Sequence, residues 1–231
     1  MNLLFTIIVT FFAGMGAGLG TGFAGMSAAA VISPMLITFL GMDPYMAVGI
    51  ALSSDVLASA VSAYTYHKNK NLDIKNGLIM MASVLLFTVV GSWVASLVPS
   101  TTMGSFSVFM TFLLGIKFIV KPVMTTKEAM QGVSAKKRAF QSIVCGVVKT
   151  AVGTSVFIMT FTALTGAVSH FTIGGAPDWT VFILCVLFTL LWARIAAVFA
   201  NKADAKTLNR ATGIVLVVLG IVVMGFNLLT K

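Results

Sequence analysis

An all-α polytopic membrane protein, built as two inverted-topology repeats with glycine- and proline-broken helices, is the fold class that this sequence predicts. Three observations predict it. Of 231 residues, 58% are hydrophobic and 9% charged, and the mean hydropathy of +1.04 lies far from that of a soluble domain. The apolar residues fall into eight stretches of membrane-helix character. One short motif also occurs twice, opening two spans that must run in opposite directions.

The stretches run from Leu3 to Gly22, Phe23 to Leu40, Tyr45 to Tyr66, Gly77 to Val98, Met103 to Val120, Phe140 to Phe171, Trp179 to Ala200 and Gly213 to Leu229. A hydrocarbon core about 30 Å thick takes roughly 20 apolar residues per helix, so a single integral unit is expected. It divides into a first repeat over 1–124, a cytoplasmic linker over 125–139 and a second repeat over 140–231. Met1 to Met26 has no Lys or Arg, which argues for a retained first span rather than a cleaved signal peptide. The first stretch holds GMGAGLGTGFAG, residues 14–25, with glycine at six of twelve positions. The second contains Pro34, whose missing N–H kinks or breaks a helix.

Charge sets the orientation. The net charge of +9 is gathered between spans: Lys68, Lys70 and Lys75; Lys127, Lys136, Lys137 and Arg138; Lys202, Lys206 and Arg210. These segments are expected on the cytoplasmic side, and the segments 99–102 and 172–178, which lack basic residues, outside. Residues 41–44 and the N-terminus then also lie outside, so the first two stretches either cross twice or form a re-entrant hairpin. No segment is long enough to fold as a soluble basic module, which excludes nucleic acid as a partner. Cys145 and Cys185 sit in apolar runs and read as packing residues; no metal or other cofactor is called for.

Ala47-Val48-Gly49 opens YMAVGIALSSDVLASAVSAYTYH, and Ala151-Val152-Gly153 opens KTAVGTSVFIMTFTALTGAVSHF. Both spans end in an aromatic-histidine cluster, one at the cytoplasmic lysines and the other at the uncharged outer loop. That is the pattern of an inverted repeat, in which discontinuous helices present their N-terminal ends to a substrate near the midplane. Gly14, Gly18 and Gly22 share one helix face and permit close backbone approach. Gly20, Gly22 and Gly25 permit a break that exposes N–H groups, tolerated at membrane depth only against protein or a water-filled cavity. Both readings of the glycines stand at this point.

GMGAGLGTGFAGMSAAAVISPML, followed by AVG at 47–49 and AVGTS at 151–155, resembles the sulfite exporter TauE/SafE family over most of the chain. The resemblance implies a two-halved permease for small sulfur-containing anions such as sulfite, thiosulfate, sulfoacetate or other organosulfonates. Two departures stand out. In the first half, Ile50 and Ala51 replace the Thr-Ser pair, with Ser53 and Ser54 one turn later. In the second, Lys149 joins directly to the AVG start, leaving out the ~30 residues of a glycine- and proline-containing hairpin. Phe140 to Phe171 is too long for one span and too short for a hairpin plus a span.

The anion is expected near residues 20–27 and the two AVG starts, with Gly22, Gly25, Ser27, Pro34, Gly49, Ser53, Ser54, Lys149, Gly153, Thr154 and Ser155 as substrate-binding candidates. The serine and threonine hydroxyls can donate to an oxyanion, or equally serve helix contacts. Lys149 is either a positive charge beside the anion or a snorkelling residue. Asp55, about ten residues into its span, is costly at that depth and is the proton-coupling candidate, against a carboxyl held neutral by hydroxyl neighbours. Arg194, toward the cytoplasmic end of its span, is either an anion ligand or a snorkelling residue, whereas Lys117 and Lys121 lie near a cytoplasmic helix end, where snorkelling accounts for them. His67 and His170 occupy opposite faces, which argues against a shared metal site, and they read as interfacial histidines at helix ends. Trp93, Trp179 and Trp192 read as packing residues or interfacial anchors.

A secondary transporter in the cell membrane, that of a bacterial inner membrane, explains these features together. The absence of a GxxxxGK[ST] sequence means the chain does not itself hydrolyse nucleotide, so movement follows a gradient or a coupled proton or other ion. The expected partners are a small anionic substrate, the lipid bilayer, coupled ions and a second copy of the chain in a homo-oligomer. The alternative is a membrane scaffold or assembly protein without flux of its own. An intramembrane enzyme would need a constellation such as HExxH or paired acids, and only Asp55 is buried by this reading.

Overall fold

A computed structural model describes residues 2–68, 74–120, 135–200 and 205–229, with the backbone course alone over 135–153. Eight helices occupy the described residues: α1 Leu3–Ala24, α2 Ala29–Leu40, α3 Pro44–Lys68, α4 Ile74–Ser96, α5 Ser100–Val120, α6 Ala135–Gly174, α7 Trp179–Ala200 and α8 Ala205–Leu229. Most of the linker expected at 125–139 lies outside this description, as do Lys70, Lys121 and Lys202. Among the described residues, four helices are long and apolar enough to cross a membrane: Leu3–Phe23, Pro44–Lys68, Thr154–Gly174 and Trp179–Ala196. Phe87, Trp93, Leu187 and Ile221 are among the large apolar side chains that remain exposed on the bundle surface, where an integral membrane protein meets lipid.

Local chemistry sets the helix ends. Asn2 caps α1 by accepting from the Leu4 N–H at 3.1 Å, and Asp178 caps α7 by accepting from Thr180 and Val181 at 2.9 and 3.1 Å. Asp43 accepts from the Met46 N–H at the start of α3, where Pro44 fills a first-turn position that needs no donor. Gly25, Gly41 and Gly175, all at positive φ, stand immediately after α1, α2 and α6.

Two helix pairs organise the bundle. α1 packs against α7 in parallel: Gly14 meets Phe188, and Gly18 meets Thr189, Trp192 and Ala193. α3 packs antiparallel to α6: Tyr45 and Met46 lie against Gly174, Gly49 against His170 and Phe171, and Leu52 against Gly166. α5 packs on α8, and α2 fills the space among α1, α3, α5 and α8. Six consecutive α2 residues, Val31 to Leu36, are buried, as befits a helix apolar all round and enclosed on every side. The two expected repeats are therefore interpacked rather than separate bodies.

The structure corrects one expectation. Pro34 does not break a helix; α2 runs through it, and the break falls earlier, at residues 25–28. The carbonyl that Pro34 deprives of its N–H partner is that of Ala30, and the Thr111 hydroxyl of α5 donates to it instead. Residues 140–171, where the sequence leaves no room for a hairpin plus a span, form part of one uninterrupted helix of 40 residues. No counterpart of the α1–α2 hairpin precedes Ala151-Val152-Gly153 there.

Candidate functional site

The break between α1 and α2 is built by Gly25. Its φ of 63° and ψ of 32° place it in the left-handed region, which glycine enters without the Cβ penalty of other residues. Its N–H donates to the Thr21 carbonyl at 3.1 Å, and the next N–H, of Met26, donates to the Gly20 carbonyl at 3.2 Å. The chain then reverses. Met26 folds back over Gly20, where any side chain would collide with its methyl group, and Val31 lies against Gly16. Twelve residues give α2 a rise of about 18 Å, little more than half of a hydrocarbon core of about 30 Å. Length thus argues against a full crossing by α2.

Ser27 and Ala28 start α2. The Ser27 hydroxyl accepts from the Ala29 N–H at 3.3 Å, and the Ser27 carbonyl accepts from Ala30 at 3.2 Å. The Ala28 N–H faces Asp55 of α3, as does the Ser27 hydroxyl. Thr21, in the last turn of α1, has its hydroxyl 2.8 Å from the Met26 carbonyl and 3.5 Å from Asp55 Oδ1. Asp55 is 0% exposed, and its Oδ2 makes no hydrogen bond of ordinary geometry. Asp43, Lys68, Lys117, Asp178, Arg194 and Arg210 are exposed, so Asp55 is the one fully enclosed Asp, Lys or Arg among those whose side chains the structure describes.

A buried carboxyl aimed at the N-terminus of a half-length helix is a polarised site. The α2 amides and macrodipole favour negative charge there, and the hydroxyls of Thr21 and Ser27 can turn toward whatever occupies it. Asp55 lies about 16 Å along α3 from Pro44, near its middle. A charge at that depth is expensive and needs partners of this kind.

Of the candidates drawn from sequence, the structure brings Gly25, Ser27 and Asp55 together, with Gly22 buried in the adjoining turn of α1. The others lie elsewhere. Pro34 is in the middle of α2. Gly49 is the seat of His170 and Phe171 at the far end of α6. Ser53 and Ser54 donate to Gly49 and Ile50 of their own helix, at 2.9 and 3.1 Å. Thr154 is buried against Gly77 of α4 and Ser155 is exposed. Lys149 and Gly153 lie on α6 where side chains are outside the description. Because α3 and α6 run antiparallel, Gly153 stands about 26 Å along α6 from His170, the residue that meets Gly49. The two AVG starts thus sit toward opposite ends of the pair instead of facing each other.

Arg194 is exposed and Trp192 packs edge-on against Phe11 at 6.0 Å. His170 is buried, with Nδ1 3.0 Å from the Tyr45 carbonyl and its ring stacked on Tyr45 at 4.0 Å; His67 is exposed at the far end of α3. Thr21 and Thr111 were not singled out by sequence. For Thr21 the signal was a lone hydroxyl within the glycine run, whereas Thr111 had none.

Comparison with known proteins gives one consistent result. The sequence profile described as Sulfite exporter TauE/SafE matches residues 10–150 and 143–223. The probable membrane transporter protein YunE of Bacillus subtilis (strain 168) is 24% identical over 250 positions, covering 88% of this chain and 89% of that protein. The probable membrane transporter protein YdhB of the same organism is 19% identical over 222 positions, covering 84% of this chain and 90% of its own length. No solved structure matches significantly. The aligned positions outnumber the residues this chain brings to them, so both relatives carry stretches that this chain lacks within the matched span. The two profile matches overlap at residues 143–150, beside the AVG start that has no hairpin before it.

Proposed function

The chain belongs to the sulfite exporter TauE/SafE family, and from that premise we propose that it is a secondary transporter moving a small sulfur-containing anion, such as sulfite, thiosulfate or an organosulfonate, across the cell membrane. That it is an integral membrane transporter follows from the family and from its relatives; the anion class is the proposal. The observation that supports it is the half-length helix α2, whose first N–H groups lie inside the bundle beside a hydroxyl pair and a carboxyl. Such a site recognises an oxyanion by dipoles and hydroxyls rather than by a fixed cation. Binding of that kind is weak enough to permit release, which transport requires. The antiparallel course of α3 and α6 supports the inverted-repeat reading, in which the two halves rock around the break.

Purified protein in proteoliposomes tests this directly. Radiolabelled sulfite, thiosulfate, taurine and sulfoacetate are offered in turn, with phosphate and nitrate as controls. Saturable uptake of at least one sulfur anion, at least tenfold above protein-free vesicles, is expected. Uptake confined to phosphate or nitrate rejects the sulfur class, and no uptake of any anion rejects the transporter reading for this chain.

A further inference from the structure

The α2 N-terminus already holds a carboxyl of the protein's own. Asp55 is fully buried, its Oδ1 lies 3.5 Å from the Thr21 hydroxyl, and its Oδ2 has no partner of ordinary geometry. The Ser27 hydroxyl and the Ala28 N–H face the same carboxyl. The remaining first-turn amides are already engaged: Ala29 donates to Ser27 Oγ, and Ala30 to the Ser27 carbonyl. An incoming oxyanion therefore finds no vacant set of donors. It can use the Ala28 N–H and the Ser27 hydroxyl only by taking them from Asp55, and the Thr21 hydroxyl only by turning it from both Asp55 and the Met26 carbonyl.

Resting on the transport reading above, we propose that Asp55 is a tethered competitor for the transported anion at the start of α2, so that the anion binds there only when Asp55 carries a proton. Two negative charges within hydrogen-bonding range cannot share a site shielded from water. Among the side chains described, none that is charged comes from α1, α2, α5, α7 or residues 154–174 of α6 to offset them; Asp55 is faced by the Thr21 and Ser27 hydroxyls and the Ala28 N–H. Protonation removes one charge and releases the hydroxyls and the amide to the ligand. The proton, drawn from the aqueous side on which the anion enters, then crosses with it. Loss of that proton returns the carboxylate to the helix terminus and expels the anion. In this scheme Asp55 is both the coupling group and the device that empties the site.

The test uses thiosulfate and methanesulfonate, whose charge is constant near neutrality, and measures both binding to the purified protein and flux in proteoliposomes containing a pH-sensitive dye. In the wild type, affinity should fall up to tenfold per unit rise in pH once Asp55 ionises, and anion entry should acidify the lumen. Asp55→Asn, which keeps the shape and removes the charge, should bind at high pH as tightly as the wild type does at low pH, with no pH slope and no acidification. Ser27→Ala should weaken binding severalfold while keeping the slope, a result that separates a ligand-facing hydroxyl from a charge switch. Should Asp55→Asn fail to assemble, Asp55→Glu serves instead, with the slope retained and its midpoint moved.

A pH slope in Asp55→Asn equal to that of the wild type overturns the proposal, as does pH-independent binding in the wild type. In either case the transport reading stands, because an anion still binds and moves. Binding of neither probe to the wild type, together with no uptake of any sulfur anion, overturns both.

Discussion

Within the glycine run of α1, residues 14–18 and residues 20–25 are alike in sequence and opposite in use. A Cβ on Gly18 would stand 2.6 Å from the Ala193 nitrogen and the Thr189 carbonyl oxygen, and one on Gly14 would stand 2.6 Å from Phe188 Cβ. Those glycines hold two backbones together, the packing role of small residues in a bilayer, where lipid is as apolar as leucine and close fit supplies the association energy. A turn further on, Gly20 makes room for Met26, and Gly25 ends the helix by entering a conformation that side chains resist. The first region makes the bundle rigid; the second interrupts a helix inside it. Spacing alone could not divide them, since what decides is whether α7 or the chain's own return lies opposite.

The comparison breaks most visibly at Gly18. Backbone atoms cannot yield as a side-chain tip can, so Gly18→Leu must push α1 off α7. A loss of about 4 kcal/mol or more is expected, in the range that only severe overpacking reaches, seen as aggregation on size-exclusion chromatography and a collapsed thermal transition in detergent. Gly91→Leu is the matched control, because Gly91 has nothing within 4 Å of a Cβ, and it should assemble as the wild type does. Equal behaviour of the two variants would remove the packing role of the first region.

Gly25→Ala probes the second region. Holding alanine at a φ of 63° costs roughly 1–2 kcal/mol, so the variant should insert and purify with only a modestly lowered transition. Its flux should fall far more than its stability, because the donors at the start of α2 are set by the turn. If flux stays at the wild-type rate while stability drops, the break is structural and the binding site lies elsewhere.

The same contrast explains how much was legible in the sequence. Eight apolar stretches appear as eight helices, with most boundaries off by only a few residues, since a chain in lipid must satisfy its backbone within each segment. Asp55 was also legible, because a carboxylate far from any charged segment needs a reason. Its partners were not: Thr21 and Ser27 reach it through a reversal that depends on the φ of one glycine. The AVG starts misled for a related reason. Equal sequences on antiparallel helices arrive at opposite ends, and the inverted-repeat expectation had placed both at the centre. The break was assigned in part to Pro34 because a proline inside a helix leaves a carbonyl without a donor. The donor that repairs it lies 81 positions away.

That repair makes the smallest and sharpest prediction. If Thr111 exists in the bundle to satisfy the Ala30 carbonyl that Pro34 cannot, then Thr111→Val should cost about 1–2 kcal/mol, the penalty of a buried acceptor left unpaired. Pro34→Ala alone restores an N–H four residues after Ala30 and should be close to neutral. In the double variant the cost of Thr111→Val should then shrink by about 1 kcal/mol, because α2 supplies its own bond. Thermal denaturation of the four proteins in one detergent closes the cycle. Additive losses would mean that the hydroxyl and the proline are unrelated, and that α2 tolerates its proline through the surrounding packing alone.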